Sequence, residues 1–472
     1  GWWIVLRDRD VESLGQAAAA LVVAVAVFWL ANARMLMHPI ESVQTYLVLL
    51  MLVAGGGFVA RWLEAAPGSA RGRHLAAALG CAFVGTFGFG TGLVAFPALA
   101  VVLVVGRAPL AAVASVLAAM LAALALYLLL PGGGHVPGVA AIDPWRNLQV
   151  AAQWLASPVA TLTGEPLHPG TSSLVPIEPR LVPPGSLPPL AAWIGFAGMA
   201  ALALASLQRW RRGRLGRTET LALALGWFAL GAALLVGLTR LKYFEAHPDQ
   251  LFAGRYLPWP CMLWASLALL ALGDPQARRT RWPLLPRPAV VVVAAVAVAA
   301  LLQNPAHARW ARQAQAMARF HAVAVLADLW STPRMAGETT TADVEAATPL
   351  LREHRIAMFA HPAALRLGTV LHEAADSVDA SAPTRAVAYR SDKGEAALYV
   401  EAALPAGYVA GPPDLWLLTD GQRRVLGYGH PMPLASRTDI AGVAREPADG
   451  LLLAFPWTDE GVGAGVRLAL PR

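Results

Sequence analysis

The chain has 472 residues, of which 57% are hydrophobic and 14% are charged, with 37 Lys and Arg against 30 Asp and Glu. Soluble globular domains are about 45–50% apolar and about 25% charged, so this composition excludes both an ordinary soluble enzyme and a disordered protein. The net charge of +7 falls mostly in short loops between apolar runs, where it is a topology signal, and we therefore expect no nucleic-acid partner.

Long apolar runs are concentrated in residues 16–302. A bilayer core of about 30 Å requires about 20 helical residues. We therefore predict an α-helical polytopic membrane domain over residues 1–302, with a break at 86–92 that is too short for an ordinary loop and is either a tight turn or an interrupted helix. About nine spans are expected, at 16–33, 43–63, 74–90, 92–106, 109–130, 188–207, 219–239, 257–272 and 287–302.

Basic residues predict the orientation of these spans. If the N-terminus is cytoplasmic, the cytoplasmic segments before residue 303 carry 15 arginines, whereas the opposite segments carry six Arg and Lys residues. The positive-inside rule favours this arrangement. It places the long loop 131–187 and everything after residue 302 outside the cytoplasm.

Residues 303–472 have the composition of a soluble protein. Residues 303–383 predict a helical connector, which lies either at the membrane interface or against the C-terminal domain as a soluble helix. In residues 384–472 the pattern alternates as in β-strands, and Asp420–Gly421 lies between two such runs as in a hairpin turn. We expect this region to form a small extracytoplasmic β-sandwich.

Segment 240–256 concentrates three cations, two carboxylates and one histidine at the outer membrane surface in this topology. Arginine binds phosphate through its planar fork, and carboxylates act as general acids or bases. The substrate-binding candidates are Arg240, Lys242, His247, Arg255 and Tyr256, and the catalytic candidates are Glu245 and Asp249. The alternative is that the cations and aromatic residues anchor the chain at the interface and the acids belong to a solvated loop.

Two further external loops supply candidates. Glu41 is the only acid in the first loop, 33–42, and is a candidate catalytic carboxylate. Asp143 and Arg146 lie in the second loop and are candidates for substrate binding. The two cysteines and the scattered histidines are not at metal-ligand spacing, so the sequence predicts neither a metal site nor a cofactor.

Five segments of the chain carry a family resemblance: 86–99 followed by Arg107, 240–256 entering a span, 399–402, 425–429 and 437–441. Together they resemble bacterial polytopic membrane proteins of the GT-C type, the superfamily of lipid-linked-sugar glycosyltransferases. The last three segments resemble the small β-domain that follows such membrane domains. The resemblance implies a protein of the bacterial inner membrane.

The resemblance also implies an activity, namely transfer of a sugar from a polyprenyl-phosphate donor for envelope glycan modification. In that superfamily a carboxylate of the first extracytoplasmic loop deprotonates the acceptor hydroxyl, and Glu41 is the only acid in that loop of this chain. The first loop of this chain is much shorter than that pattern requires. The chain begins with Gly1, which leaves two alternatives. Either the chain is a fragment and the first-loop carboxylate lies in a missing N-terminal piece, or Gly1 is the mature N-terminus and Glu41 is the only acid of the first loop.

A second hypothesis is a non-catalytic membrane transport or assembly subunit whose β-domain binds a glycan or a partner. Ionisable residues within spans usually mark transport pathways, and transporters often contain a broken segment in each of two halves. The spans here are nearly free of charge. These patterns favour the glycosyltransferase hypothesis, with membrane lipid and a polyprenyl-phosphate-linked sugar as partners.

Overall fold

A computed structural model describes residues 21, 23–26, 29–32, 39–129, 142–163, 189–246, 251–272, 286–331, 341–372, 381–404, 415–432, 439–459 and 461–470. The chain divides into two compact units, a helical unit that ends at residue 308 and a second unit whose described residues begin at 309. A helical region is thus followed by a β-domain, which confirms the predicted order.

The helices of the described residues occupy most of the first unit. They are α1 (Pro39–Glu64), α2 (Ser69–Gly88), α3 (Ala95–Val105), α4 (Leu110–Leu129), α5 (Pro144–Leu155), α6 (Ser157–Thr163), α7 (Pro189–Arg212), α8 (Arg217–Ala246), α9 (Pro258–Leu272), α10 (Pro286–Leu326) and α11 (Thr341–Glu353). Short 3-10 turns occur at Leu30–Asn32, Gly90–Val94, Gly254–Tyr256, Ala357–Ala360 and Pro362–Arg366.

Four helices are long and apolar enough to cross a membrane by length and composition, within the part of the chain that the structure describes. They are Ser42–Glu64, Leu110–Leu129, Leu190–Arg212 and Arg217–Glu245. The apolar helices Gly90–Val105 and Pro258–Ala271 are shorter. The predicted number of nine spans is therefore not confirmed.

Helix α8 is the centre of the bundle. In the most apolar 18-residue stretch of α8, 72% of the residues are buried. The corresponding share in α4 is 17%. Leu110, Leu121 and Leu129 of α4 are instead exposed. An outer helix that presents leucines outward is typical of a lipid-facing surface, because lipid tails are as apolar as leucine.

Arginine side chains join several of the predicted cytoplasmic segments at one end of the bundle, the basic end. The Arg217 guanidinium donates to both carboxylate oxygens of Glu64 at 2.9–3.0 Å. Arg107 Nε donates to the Trp210 carbonyl at 2.9 Å, and Arg209 Nη2 donates to a carbonyl in the last turns of α9 at 2.8 Å. The predicted cytoplasmic segments that these arginines join therefore lie at the same end of the helical bundle.

The glycine-rich break at 86–92 is an interrupted helix with a tight turn. Helix α2 ends at Gly88, Phe89 is extended, and a 3-10 turn then leads into α3. A Cβ atom on Gly92 would overlap the backbone carbonyl of Gly85. The turn thus depends on a close backbone approach that glycine alone permits.

The second unit contains eight described strands, seven of which close into a barrel, while β7 pairs with β6 alone. They are β1 (Ser381–Arg390), β2 (Ala396–Ala403), β3 (Leu415–Thr419), β4 (Val425–Met432), β5 (Asp439–Arg445), β6 (Leu452–Thr458), β7 (Gly461–Val462) and β8 (Val466–Ala469). Their order is β3-β4-β5-β2-β1-β8-β6-β7, and β6 also pairs with β3. The predicted sandwich is therefore wrong, because the β3–β6 pairing removes the free edges that two separate sheets would keep.

Strand β3 shows how the barrel is packed on both faces, since all five of its residues are buried. Trp416 and Leu418 belong to a cluster whose buried members, apart from Leu404, are all strand residues, and this cluster is the barrel interior. Leu417 belongs to a second cluster that includes Phe320 and Val325 of α10. The end of the helical connector therefore packs on the outside of the barrel.

His430 of β4 is 2% exposed, and its Nδ1 atom lies 3.1 Å from the Pro431 carbonyl oxygen. Burial lowers the pKa of His430 to about 4, the hydrogen bond to Pro431 opposes this shift, and the charge of Arg319 adds to it. An unfolded histidine has a pKa of about 6.5. As the pH falls from about 6.5 to about 4, the unfolded chain therefore binds a proton that the folded chain does not.

We expect the free energy of unfolding to fall with pH over this interval, by up to about 3 kcal/mol in total. Thermal unfolding of the full chain at several pH values checks this. The substitution His430→Leu is expected to remove most of this decrease in the free energy of unfolding. His354 is exposed, and His354→Leu is expected to leave the decrease unchanged. An equal pH dependence in wild type and His430→Leu would contradict the prediction.

Candidate functional site

The structure places the sequence-predicted residues on three elements of the helical unit. Arg240, Lys242 and Glu245 lie in the last turns of α8, Tyr256 lies in the 3-10 turn before α9, and Asp143 and Arg146 lie at the start of α5. The backbones of Glu41 and Arg255 are described, in the first turn of α1 and in the turn before α9, but their side chains are not. His247 and Asp249 lie outside the described residues.

Helix α5 begins with a standard capping arrangement and packs on α8. The Asp143 carboxylate accepts a hydrogen bond from the Arg146 backbone N–H at 3.1 Å, and Pro144 occupies the first turn, where no N–H is needed. Asn147 Nδ2 donates to the Gly237 carbonyl of α8 at 2.8 Å. The start of the predicted second external loop is thus fixed against the last third of α8.

This packing brings Arg146 and Glu245 together. Arg146 Nη2 lies 3.6 Å from Glu245 Oε1, and the two side chains are 48% and 43% exposed. Arg146 Nη1 also donates to Gln149 Oε1 at 3.2 Å. An exposed ion pair of this kind adds little to stability, so a charged ligand can exchange with either partner at little cost.

Aromatic side chains pack between α5, α8 and the turn before α9, next to the Arg146–Glu245 pair. The Tyr256 ring lies 6.3 Å from that of Trp154 in α5 and 6.1 Å from that of Phe244 in α8. Arg240 Cζ lies 5.7 Å from the Tyr243 ring centre, a cation–π distance. Lys242 is exposed.

Sequence reasoning missed a set of buried uncharged polar residues close to these elements. Asn32 and Gln153 are both fully buried, and their amide nitrogen and oxygen atoms have no hydrogen-bond partner among the described residues. For Asn32, the sequence signal was a single amide side chain at the end of an apolar run. For Gln153 it was a polar residue on the face of α5 that packing buries.

The second unit has a pocket of about 430 Å³, whose lining includes Asp328, Trp330, Arg352 and Lys393. Asp328 accepts from Arg352 at 2.9 Å and from Lys393 at 3.2 Å. Lys393 Nζ also lies 4.5 Å from the Trp330 ring centre. Asp328, Arg352 and Lys393 are therefore paired with one another.

No metal centre can be assembled from the residues that the structure describes. Groups of three or more His, Cys, Asp and Glu side chains with a suitable arrangement do not occur among them. Cys81 and Cys261 are free thiols.

Comparison of the chain with known protein families, with curated proteins and with solved structures gives no match. The GT-C resemblance of the sequence therefore stays a prediction.

Proposed function

We propose that the chain is an integral membrane glycosyltransferase-like protein that uses a polyprenyl-phosphate sugar donor at the extracytoplasmic face of the bacterial inner membrane for envelope glycan modification. The observation that carries the proposal is the ion pair between Arg146 and Glu245. It combines a cation suited to phosphate with a carboxylate suited to proton transfer.

The position of this pair along α8 agrees with a substrate at the outer surface. Arg217, at the first residue of α8, pairs with Glu64 at the basic end, whereas Glu245 lies at the other end of the same helix. Basic loops remain cytoplasmic under the positive-inside rule. The Arg146–Glu245 pair is then extracytoplasmic, at the depth of a lipid phosphate.

The proposed reaction assigns one role to each partner. Glu245 accepts the proton of the acceptor hydroxyl while the hydroxyl oxygen forms a bond to the anomeric carbon of the sugar. The bond between that carbon and the phosphate oxygen breaks, and its electron pair remains on the polyprenyl phosphate. Arg146 stabilises the negative charge that develops on the phosphate.

Glu41 remains a second candidate for the base, because it is the only acid of the first predicted external loop. Its backbone lies in the first turn of α1. Arg240, Lys242, Arg255 and Tyr256 remain candidates for contacts to the lipid phosphate. Arg240 and Lys242 add basic side chains in the last turns of α8, and Tyr256 lies in the 3-10 turn before α9.

The pocket beside Trp330 favours the second hypothesis, an assembly subunit whose β-domain binds a glycan or a partner. Its aromatic residue and its mixed charges are common features of binding sites for polar ligands. If the chain is an assembly subunit, it catalyses no reaction and Glu245 is not a catalytic base.

One experiment in the native host separates the two functions. We expect disruption of the gene to leave the polyprenyl-phosphate sugar unconsumed, so that mass spectrometry of the lipid fraction detects its accumulation. Expression of the wild-type chain is expected to restore the normal pool. An unchanged lipid-linked sugar pool, together with a defect in glycan assembly, would contradict the enzyme and support the assembly subunit.

A further inference from the structure

The four helices that are long and apolar enough to cross a membrane each have one end at the basic end of the bundle. Ser42–Glu64 and Leu190–Arg212 end there, Arg217–Glu245 begins there, and Leu110–Leu129 begins shortly after Arg107. Residues at the end of a membrane span lie at the surface of the bilayer. The arginines of the basic end therefore lie at the depth of lipid headgroups.

Positive charge is in large excess at this end. The described segments that meet there are 61–73, 107 and 209–219, and they contain nine arginines and two carboxylates. The Glu64 carboxylate accepts from Arg217 at 2.9 Å. The Glu219 carboxylate accepts from Arg209 at 2.9 Å. Both carboxylates thus have an arginine partner already, and most of the remaining positive charge has no carboxylate to neutralise it within these segments.

Aromatic rings hold two of the remaining arginines where α1 connects to α2. Arg61 Cζ lies 5.7 Å from the ring centre of Phe58, and Arg71 Cζ lies 4.0 Å from that of Trp62. Phe58 and Trp62 are one helical turn apart in α1, so the two guanidinium groups lie against neighbouring rings. A ring orients a guanidinium group without neutralising its charge. These two cations are therefore held in place and can still bind an anion.

Backbone carbonyl groups hold a third arginine at the end of α7. Arg107 donates to the carbonyl oxygens of Trp210 and Arg211 at 2.9 and 3.2 Å, and its Cζ atom lies 5.6 Å from the Trp210 ring centre. Trp210 is 44% exposed, and the Arg211 side chain is exposed next to it. Tryptophan at the end of a membrane span is typical of the headgroup layer. This second group of cations is thus also placed for contact with lipid headgroups.

The chemistry of these groups identifies the kind of occupant that fits them. A guanidinium group binds phosphate oxygens through its planar fork of N–H donors. Basic clusters directly beside membrane spans attract anionic phospholipids, and basic surfaces between spans bind their headgroups. A zwitterionic headgroup carries a cation of its own, which an excess of arginine repels. The basic end therefore matches anionic phospholipids better than zwitterionic ones.

We propose that the basic end binds the phosphate headgroups of anionic phospholipids through Arg61, Arg71, Arg107 and Arg211. This inference goes beyond the proposed function and does not depend on it, because Glu245 lies at the other end of α8. It also holds for either orientation of the chain in the membrane. A ligand that binds the folded state alone stabilises it, so anionic lipid is expected to stabilise the helical bundle.

The test uses the full chain in nanodiscs of phosphatidylcholine alone and of phosphatidylcholine with an equal part of phosphatidylglycerol. We measure the thermal midpoint of unfolding and, by native mass spectrometry, the preference for retained phosphatidylglycerol. Arg61→Gln/Arg211→Gln removes two charges from exposed side chains that donate no hydrogen bond to the described residues. Arg61→Lys/Arg211→Lys keeps the two charges. Arg366→Gln is the matched control, because Arg366 Cζ lies 5.8 Å from the Trp457 ring centre in the β-domain.

We expect wild type to retain phosphatidylglycerol in preference to phosphatidylcholine and to unfold at a higher temperature when phosphatidylglycerol is present. The double glutamine variant is expected to lose about five-fold of this preference for each charge removed, with an unchanged midpoint in phosphatidylcholine alone. The double lysine variant is expected to keep most of the preference, because lysine keeps the charge. Arg366→Gln is expected to keep all of it.

Three results would overturn the anionic lipid site. Equal retention of the two lipids by wild type would overturn it and leave an acidic protein partner as the occupant of this surface. Full preference in the double glutamine variant, or an equal loss in Arg366→Gln, would overturn it by showing that these arginines do not select the lipid. A lower midpoint of the double glutamine variant in phosphatidylcholine alone would overturn it by assigning the two arginines a structural role.

Discussion

Glu245→Gln is expected to reduce turnover of the polyprenyl-phosphate sugar by about 100-fold or more, because a positioned general base contributes about 10²- to 10⁴-fold to a rate. Glutamine keeps the size of the side chain and its capacity to accept a hydrogen bond, but it cannot take the proton of the acceptor hydroxyl. The change is measured as consumption of the lipid-linked sugar by the full chain expressed in the native host.

Glu64→Gln is the matched control for this substitution. Glu64 is 44% exposed and pairs with Arg217 at 2.9 Å, so it resembles Glu245 in exposure and in its arginine partner, but it lies at the basic end. We expect Glu64→Gln to leave turnover unchanged. Equal turnover by Glu245→Gln and wild type would remove Glu245 from the reaction and direct attention to Glu41.

Gly92→Ala is expected to lower the free energy of unfolding by about 3 kcal/mol or more. The new Cβ atom would overlap the Gly85 carbonyl, and overpacking of this kind typically costs about 1–3 kcal/mol, with larger values where the backbone itself must move. The overlap requires the 3-10 turn that carries Gly92 to move away from α2. The loss is measured by denaturant titration of the full chain in detergent micelles.

Gly80→Ala controls for the effect of the substitution itself. Gly80 also lies in α2, but a Cβ atom there meets nothing within 4 Å. Alanine in a helix interior is about 0.5–1 kcal/mol more favourable than glycine, so we expect no loss of stability. Equal stability of Gly92→Ala and wild type would contradict the close approach of the two backbones.

Sequence patterns predicted the local structure of the β-domain, but they did not predict that its sheet closes into a barrel. Asp420–Gly421 predicted a hairpin, and β3 and β4 do pair antiparallel across it. The Asp420 carboxylate explains why, since it accepts from the backbone N–H groups of Gln422 and Arg424. The pairing of β3 with β6 joins strands that are distant in sequence, and alternation alone cannot distinguish a barrel from a sandwich.

The candidate site was predicted in pieces. Composition marked both Arg146 and Glu245, but a separation of 99 positions in the sequence concealed that α5 packs on α8 and brings them to 3.6 Å. The buried amides were missed because an uncharged polar residue in an apolar run gives a weak signal. Their significance comes from the absence of partners among the described residues, which is a property of tertiary packing.

Photo-crosslinking with a diazirine-bearing polyprenyl phosphate tests most directly where the substrate binds. The full chain is labelled in lipid nanodiscs, and the modified peptides are identified by mass spectrometry. We predict label in 144–155, which is helix α5, and in 251–259, which contains the 3-10 turn after α8 and the first residues of α9. Label confined to the basic end, at 61–73 and 209–217, or to barrel strands 415–432 would contradict a donor site beside Arg146 and Glu245.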